Sequence, residues 1–190
     1  MTIAIIKYNA GNTASVVNAL NRLGVEPLVT EDESEIRAAT HVILPGVGHA
    51  GSAMAHLRER GLDAIIRKVE KPFLGICVGL QLLCAWSEEA DTTAIGVFPE
   101  RVRRFKPGLK VPHMGWNQTA LDGTGLGAGT HRFYYLHSYA AELGPDTIAT
   151  CDYAGDFSAI LRKDNFLAVQ FHPEKSGKAG AELLARFLAS

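Results

Sequence analysis

Apolar positions along the first ninety residues recur in two alternating rhythms, short continuous runs and helical spacings. Residues 2–7 (TIAIIK) form a β-branched run that ends at Asn9, Ala10, Gly11 and Asn12, after which Val16, Val17, Leu20 and Leu23 return every three to four residues. That pattern predicts strand, turn and helix. A second strand is expected over 25–30 (VEPLVT), followed by the acidic stretch 31–35, and HVILP at 41–45 then runs into Gly46, Val47 and Gly48. Residues 50–69 read as helical. KPFLGI at 71–76 is a fourth apolar strand that stops at Cys77, and VGLQLLCAW continues with helical character. Strands alternating with helices predict an α/β fold with a central, mostly parallel sheet flanked by helices.

From about residue 91 to 162 the segments become shorter and richer in turns, with Pro99, Pro107, Pro112 and Pro145 as punctuation, and mostly antiparallel strands are expected. FLAVQFHPE at 166–174 reads as another buried strand with a polar end. Residues 176–189 form an amphipathic helix through Leu183, Leu184, Phe187 and Leu188. No repeat, low-complexity segment or linker divides the 190 residues, so one domain over 1–190 is expected.

Composition narrows the functional classes. Hydrophobic residues make up 47% and charged residues 21%, the balance of a globular protein, and the net charge of -1 gives no electrostatic reason to expect nucleic-acid or membrane-surface binding. Arg101, Arg103 and Arg104, with Val102 and Phe105 interleaved and Lys106 beyond, read as the solvated face of a strand. The first apolar run is too short to span a membrane. Cys77, Cys84 and Cys151 have no metal-ligand spacing, and their odd number argues against a disulfide framework, so a reducing cytoplasm is the expected compartment.

Gly75-Ile76-Cys77-Val78-Gly79 follows an apolar strand and opens a helix, which is the form of a nucleophile elbow. There the central side chain projects into a cleft, flanking glycines permit the tight turn, and the helix N-terminus favours a thiolate. A buried structural cysteine between packing glycines is the plain alternative. A thiol nucleophile needs a base and a group to orient that base, and His172 stands at the end of another core strand with Glu174 two residues on. Both Cys77 and His172 then fall at carboxyl ends of strands, where open α/β sheets build their sites. Pro45-Gly46-Val47-Gly48 follows a third core strand and can turn a backbone N–H into the cleft, with the N–H of Val78 as its partner, to hold an oxyanion.

GICVGLQ, QFHPE and LPGVG, in their order along the chain, resemble the class I, or triad-type, glutamine amidotransferase family over most of its length. PHMGWN at 112–117, YLHSY at 135–139 and HPEKSG at 172–177 are similar to one branch of it, the glutaminase subunits of imidazole glycerol phosphate synthases of histidine biosynthesis. The resemblance implies that Cys77 attacks the side-chain amide of glutamine, that His172 protonates the departing ammonia and that Glu174 orients His172. Val47, Gly48 and Val78 would supply the oxyanion hole. Gly46, Gln81, Ser138 and Tyr139 would contact the substrate. Asn12, Trp116, Tyr134 and Lys175 would face a cyclase subunit, which receives the ammonia and forms imidazole glycerol phosphate and AICAR. No metal and no organic cofactor is implied. The alternatives are a subunit of another triad amidotransferase, a thiol peptidase or esterase, and a silent binding subunit. Gln81 could instead face solvent, Trp116 and Tyr134 could be core aromatics, and His137 is either a packed or a functional ring. The chain departs from the family pattern at Ala50, where an aromatic residue is usual, and at Lys7-Tyr8-Asn9, where Asp-Tyr-Gly is usual.

Because Cys77 alone of the three thiols sits in an elbow, Cys77→Ser should abolish glutamine hydrolysis with the fold intact, whereas Cys84→Ser should not. Peptide mapping after reaction with a glutamine-mimicking electrophile checks this, with the label expected on Cys77.

Overall fold

The structure is a computed structural model and describes residues 1–9, 12–106, 108–122 and 128–190. Of the expected turn and punctuation residues, Ala10, Gly11 and Pro107 lie outside the described residues. Strand β1 (Ile3–Ile6) leads to helix α1 (Thr13–Arg22), whose first turn is capped by Asn12 Oδ1 accepting from the Ser15 amide. Strand β2 is confined to Leu28–Thr30, shorter than its apolar run. The acidic stretch then opens helix α2 (Glu33–Ala38), with Asp32 accepting from the amides of Ser34 and Glu35. That helix was not legible from periodicity because it is only six residues long and Asp32, an N-cap, reads equally well as loop.

Strand β3 (His41–Leu44) is followed by α3 (Ala50–Glu59) and α4 (Leu62–Arg67). The single helix expected over 50–69 is divided at Gly61, whose φ of 68° lies in the left-handed region that ends helices. After β4 (Phe73–Ile76), helix α5 covers only Val78–Leu83, and Trp86 already belongs to β5 (Trp86–Ser87). The turn-rich part holds β6 (Thr92–Thr93), β7 (Arg101–Arg104), β8 (His113–Asp122), β9 (Ala128–His137), β10 (Tyr139–Ala141), β11 (Thr147–Asp152) and β12 (Asp156–Lys163). Strand β13 (Phe166–Val169) and helix α6 (Gly177–Leu188) complete the chain.

A nine-stranded sheet runs in the order β2-β1-β3-β4-β13-β12-β11-β8-β9. The pairings from β2 to β13 are parallel and those from β13 to β9 antiparallel, so the two halves expected from sequence meet at β13 within one sheet. Every residue of β1, β3, β4 and β13 is buried, which is why these strands read as apolar runs. A smaller sheet, β10-β7-β5-β6, carries the arginines. Arg101 and Arg103 lie over the Trp86 ring at 4.2 and 5.0 Å, Arg103 pairs with Glu142, and only Val102 of that strand is buried, as a solvated strand face requires.

Because β3, β4 and β13 are parallel neighbours, their carboxyl ends share one edge. Leu44 lies opposite Gly75, Ile76 lies opposite Val169, and the Cys77 amide donates to the Val169 carbonyl at 2.8 Å. At that edge α5 is pressed onto β3 so closely that a methyl group on Gly79 would run into the Leu44 carbonyl, and one on Gly46 would meet the Gly79 nitrogen at 2.5 Å. Neither neighbour is the movable end of a side chain. Gly79→Ala should therefore destabilise the protein by about 3 kcal/mol, measured as a shift of the urea midpoint, while the same change at exposed Gly24 meets no neighbouring atom and should cost only the backbone strain of its φ of 79°, about 1 kcal/mol.

Candidate active site

Cys77 occupies the corner between β4 and α5 with φ 53° and ψ -108°, a conformation rare outside glycine that stores about 1–3 kcal/mol of backbone strain. The bond to Val169 on one side and the Gln81 amide donating to the Cys77 carbonyl at 3.2 Å on the other hold it there. The corner turns the side chain out of the sheet and into a cleft of about 220 Å³. Val47, Gly48 and Val78 line one side of this cleft, and Leu136, Ser138 and Tyr139 the other. Gly48 has φ 101°, open to glycine but strained for other residues. The amides of Val47, Gly48 and Val78 donate to no acceptor among the described residues, as donors awaiting a ligand would.

His172 is fixed from its own backbone outward. Its amide donates to the Tyr134 carbonyl at 2.9 Å, and its carbonyl accepts from Ser176 Oγ at 2.6 Å. Its Nδ1 lies 2.8 Å from Glu174 Oε1, with both side chains almost wholly enclosed. A carboxylate only accepts, so Nδ1 carries the proton and Nε2 is left for the cysteine side. Nε2 is buried and has no hydrogen-bond partner among the described residues. Burial is the largest influence on the imidazole and lowers its pKa. The Cys77 thiolate and the Glu174 carboxylate together outweigh burial and raise it to about 10. The raised pKa favours the protonated ring, the form that can give a proton to a leaving group.

The remaining expected residues fall into three groups. Gln81 is buried, not solvent-facing, and its Nε2 donates to the Tyr139 carbonyl at 2.9 Å while the residue lines the cleft. Gly46 is not on the cleft wall but behind it, packed on α5. Trp116 is 48% exposed and therefore no core residue. Half-buried Tyr134 meets it edge to face at 6.3 Å, and Lys175 Nζ stands 5.9 Å over the Tyr134 ring, so these three form one surface patch. Asn12 caps α1, which packs against the Pro173–Lys175 turn beside that patch.

Three residues escaped the sequence reading. Glu89 lines the cleft and its Oε2 accepts from the Ala50 amide at 2.6 Å, so it puts a carboxylate within the site; only the return of 89 to 50 in space shows this. Tyr8, within the segment that departs from the family pattern, donates from its hydroxyl to the Pro45 carbonyl at 2.6 Å and so anchors the start of the 45–48 loop. Burial, and then the charge of Cys77, push its pKa well above the ordinary tyrosine range. His113 is paired with His137. The His137 Nδ1 faces the Tyr139 carbonyl at 2.8 Å and must donate, so its Nε2 accepts from His113 Nδ1 at 3.0 Å, and His113 Nε2 accepts from Asn117 at 3.2 Å. Burial holds the pKa of His137 down to about 3, so this ring is a neutral brace for the cleft wall and not a proton carrier.

A strained elbow cysteine, a histidine–glutamate pair beside it and unpaired amides on the cleft wall form the arrangement that thiol acyl transfer on an α/β sheet requires. The model of the class-I glutamine amidotransferases matches residues 4–190, and the chain belongs to that family. Among curated relatives, the imidazole glycerol phosphate synthase subunit HisH of Bacteroides fragilis is 49% identical over 99% of both chains. The protein of the same name from Methanothermobacter thermautotrophicus is 47% identical over 98% of this chain and 97% of its own. Solved structures described as a glutamine amidotransferase and as PurLQS from Thermotoga maritima superpose with TM-scores of 0.78 and 0.75. The first covers 98% of this chain and 97% of its own, the second 99% and 97%, and at 21% and 16% identity they show the fold alone.

If Glu174 orients His172 and His172 moves the proton, His172→Ala should lower glutaminase kcat by about a thousandfold or more. Glu174→Gln should retain roughly a hundredfold more activity than that. Steady-state assays of the two folded variants check the order.

Proposed function

We propose that the chain is the glutaminase subunit of an imidazole glycerol phosphate synthase. The observation that carries the chemistry is the meeting of Cys77 with the His172–Glu174 pair at adjoining strand ends. The Cys77 thiolate attacks the side-chain carbonyl carbon of glutamine, and the oxygen takes up negative charge facing the amides of Val78 and of the Val47–Gly48 loop. His172 gives its proton to the departing nitrogen, ammonia leaves, and a glutamyl thioester remains. His172, now neutral, takes a proton from water, the hydroxide adds to the thioester, and glutamate departs with regeneration of the thiolate. Glu174 holds the ring in the tautomer that both steps need. The backbone of Ser138 and Tyr139 and the Glu89 carboxylate meet the amino-acid end of the substrate. Glu89 offers the negative charge that a substrate ammonium requires.

The choice of acceptor rests on relatives of the same name aligned end to end, together with PHMGWN. The partner is a cyclase subunit, bound on the side of Trp116, Tyr134, Lys175 and Asn12. Exposed Met114, two residues from Trp116 on the same face of β8, extends the apolar surface there. All three cysteines are free and buried, in keeping with a reducing cytoplasm, and none of the helices among the described residues is long and apolar enough to cross a membrane.

Ammonia released into water is protonated and lost as a nucleophile, so hydrolysis is useful only with the acceptor in place. Glutaminase assays across a titration of the cyclase subunit and its ligand should show the rate rising about tenfold or more, the usual scale of coupling between sites. Trp116→Ala and Lys175→Ala should blunt the rise. Full activity of the chain alone, with no response to any cyclase, would defeat this assignment.

A further inference from the structure

We propose that Gln170, the residue between the end of β13 and the histidine of the triad, is a catalytic residue that donates a hydrogen bond to the Cys77 sulfur. The proposal rests on Cys77 being the nucleophile. Gln170 has no solvent exposure, and its backbone amide donates to the Ala159 carbonyl at 2.9 Å, which extends the pairing of β13 with β12 past Val169. Its Nε2 lies 3.7 Å from Cys77 Sγ, within range of an N–H bond to sulfur.

The orientation of that amide follows from its neighbours. The Tyr139 carbonyl can only accept, so Gln81 must present its Nε2 there, at 2.9 Å. The same Nε2 lies 3.2 Å from the Gln170 side chain, which must therefore present Oε1 to Gln81. The NH₂ group of Gln170 is left facing the sulfur. A flipped Gln170 would set two donors against each other and turn a carbonyl oxygen toward a thiolate. Burying an amide in an apolar sheet is costly unless its groups are used, and here both ends are used on residues of the cleft. An N–H aimed at sulfur favours the thiolate over the thiol. Because the amide is uncharged, it adds this support without competing with His172 for Glu174. Gln81, which holds Gln170 in place, is itself part of the cleft wall, so the wall and the nucleophile share one chain of hydrogen bonds from Tyr139 to Cys77.

The chain contains three glutamines, Gln81, Gln118 and Gln170, so their side-chain NH₂ signals can be followed individually in protein labelled with ¹⁵N-glutamine and assigned through the backbone. Alkylating Cys77 with iodoacetamide should shift the Gln170 NH₂ pair and leave exposed Gln118 in place. In Gln170→Met, close in size but without a donor, alkylation of Cys77 at neutral pH, mapped by mass spectrometry, should slow by about tenfold. Gln170→Glu, which keeps an acceptor for Gln81 but turns a carboxylate oxygen to the sulfur, should slow it further. An unchanged alkylation rate in folded Gln170→Met overturns the proposal. Should neither variant fold, the unsubstituted protein decides, and Gln170 signals that ignore alkylation of Cys77 overturn it equally. Failure of Cys77 to take a glutamine-mimicking electrophile, with the Gln170 signals still responding to alkylation, would instead count against Cys77 as the nucleophile.

Discussion

The parallel pairing of β4 with β13 is the constraint on which the site depends. Parallel strands carry their carboxyl ends to one edge, and the register that sets Ile76 beside Val169 places Cys77 one residue past the end of one strand and Gln170 one residue past the end of the other. Almost a hundred residues of chain separate the two. The bond from the Cys77 amide to the Val169 carbonyl is the last rung of that ladder, and it is also what holds the elbow in its strained conformation. A one-residue slip of β13 would reverse the faces of its side chains and shift His172, three residues past its end, away from the thiol.

Close approach is the second requirement. The elbow can stand at the sheet edge only if α5 presses onto the ends of β3 and β4, and the glycines at 46 and 79 leave that space empty. The contact has an electrostatic consequence. It helps to bury Cys77, which shares its enclosure with His172 and Glu174; burial there lowers the imidazole pKa, and interaction with Cys77 and Glu174 raises it. The same enclosure depresses His137 and raises Tyr8, neither of which has a facing charge to offset burial. Both remain neutral and serve as rigid hydrogen-bond partners, Tyr8 under the 45–48 loop and His137 behind Tyr139.

The antiparallel half of the sheet builds the opposite wall. Strand β9 carries Tyr134, whose carbonyl receives the His172 amide, and it ends at His137, just before Ser138 and Tyr139 face the cleft. Its neighbour β8 carries His113 inward to brace that wall and Met114 and Trp116 outward to solvent, a consequence of the alternation of side chains along a strand. One pair of strands thus connects the glutamine cleft with the apolar outer surface proposed for the cyclase.

Much of this was written locally in the sequence. Apolar runs marked β1, β3, β4 and β13, because strands buried on both faces have few polar positions, His41 at the start of β3 being one. Gly75-Ile76-Cys77-Val78-Gly79 marked an elbow, because so tight a turn between strand and helix needs glycine on both sides. His172-Pro173-Glu174 placed an acid beside its histidine, because their bond spans only two residues. The short helix over 33–38 and the break at Gly61 were obscure, since a single capping side chain and a single left-handed residue change little in the periodicity. What the tertiary structure alone decided was every relation across the chain. Strand order put β13 beside β4 and not beside β1; the folding back of 89 onto 50 brought a carboxylate into the cleft; and the packing of Gln81 against Gln170 aimed an amide at the sulfur. Those relations depend on register and on which surfaces are buried together, and neither is encoded within any one segment.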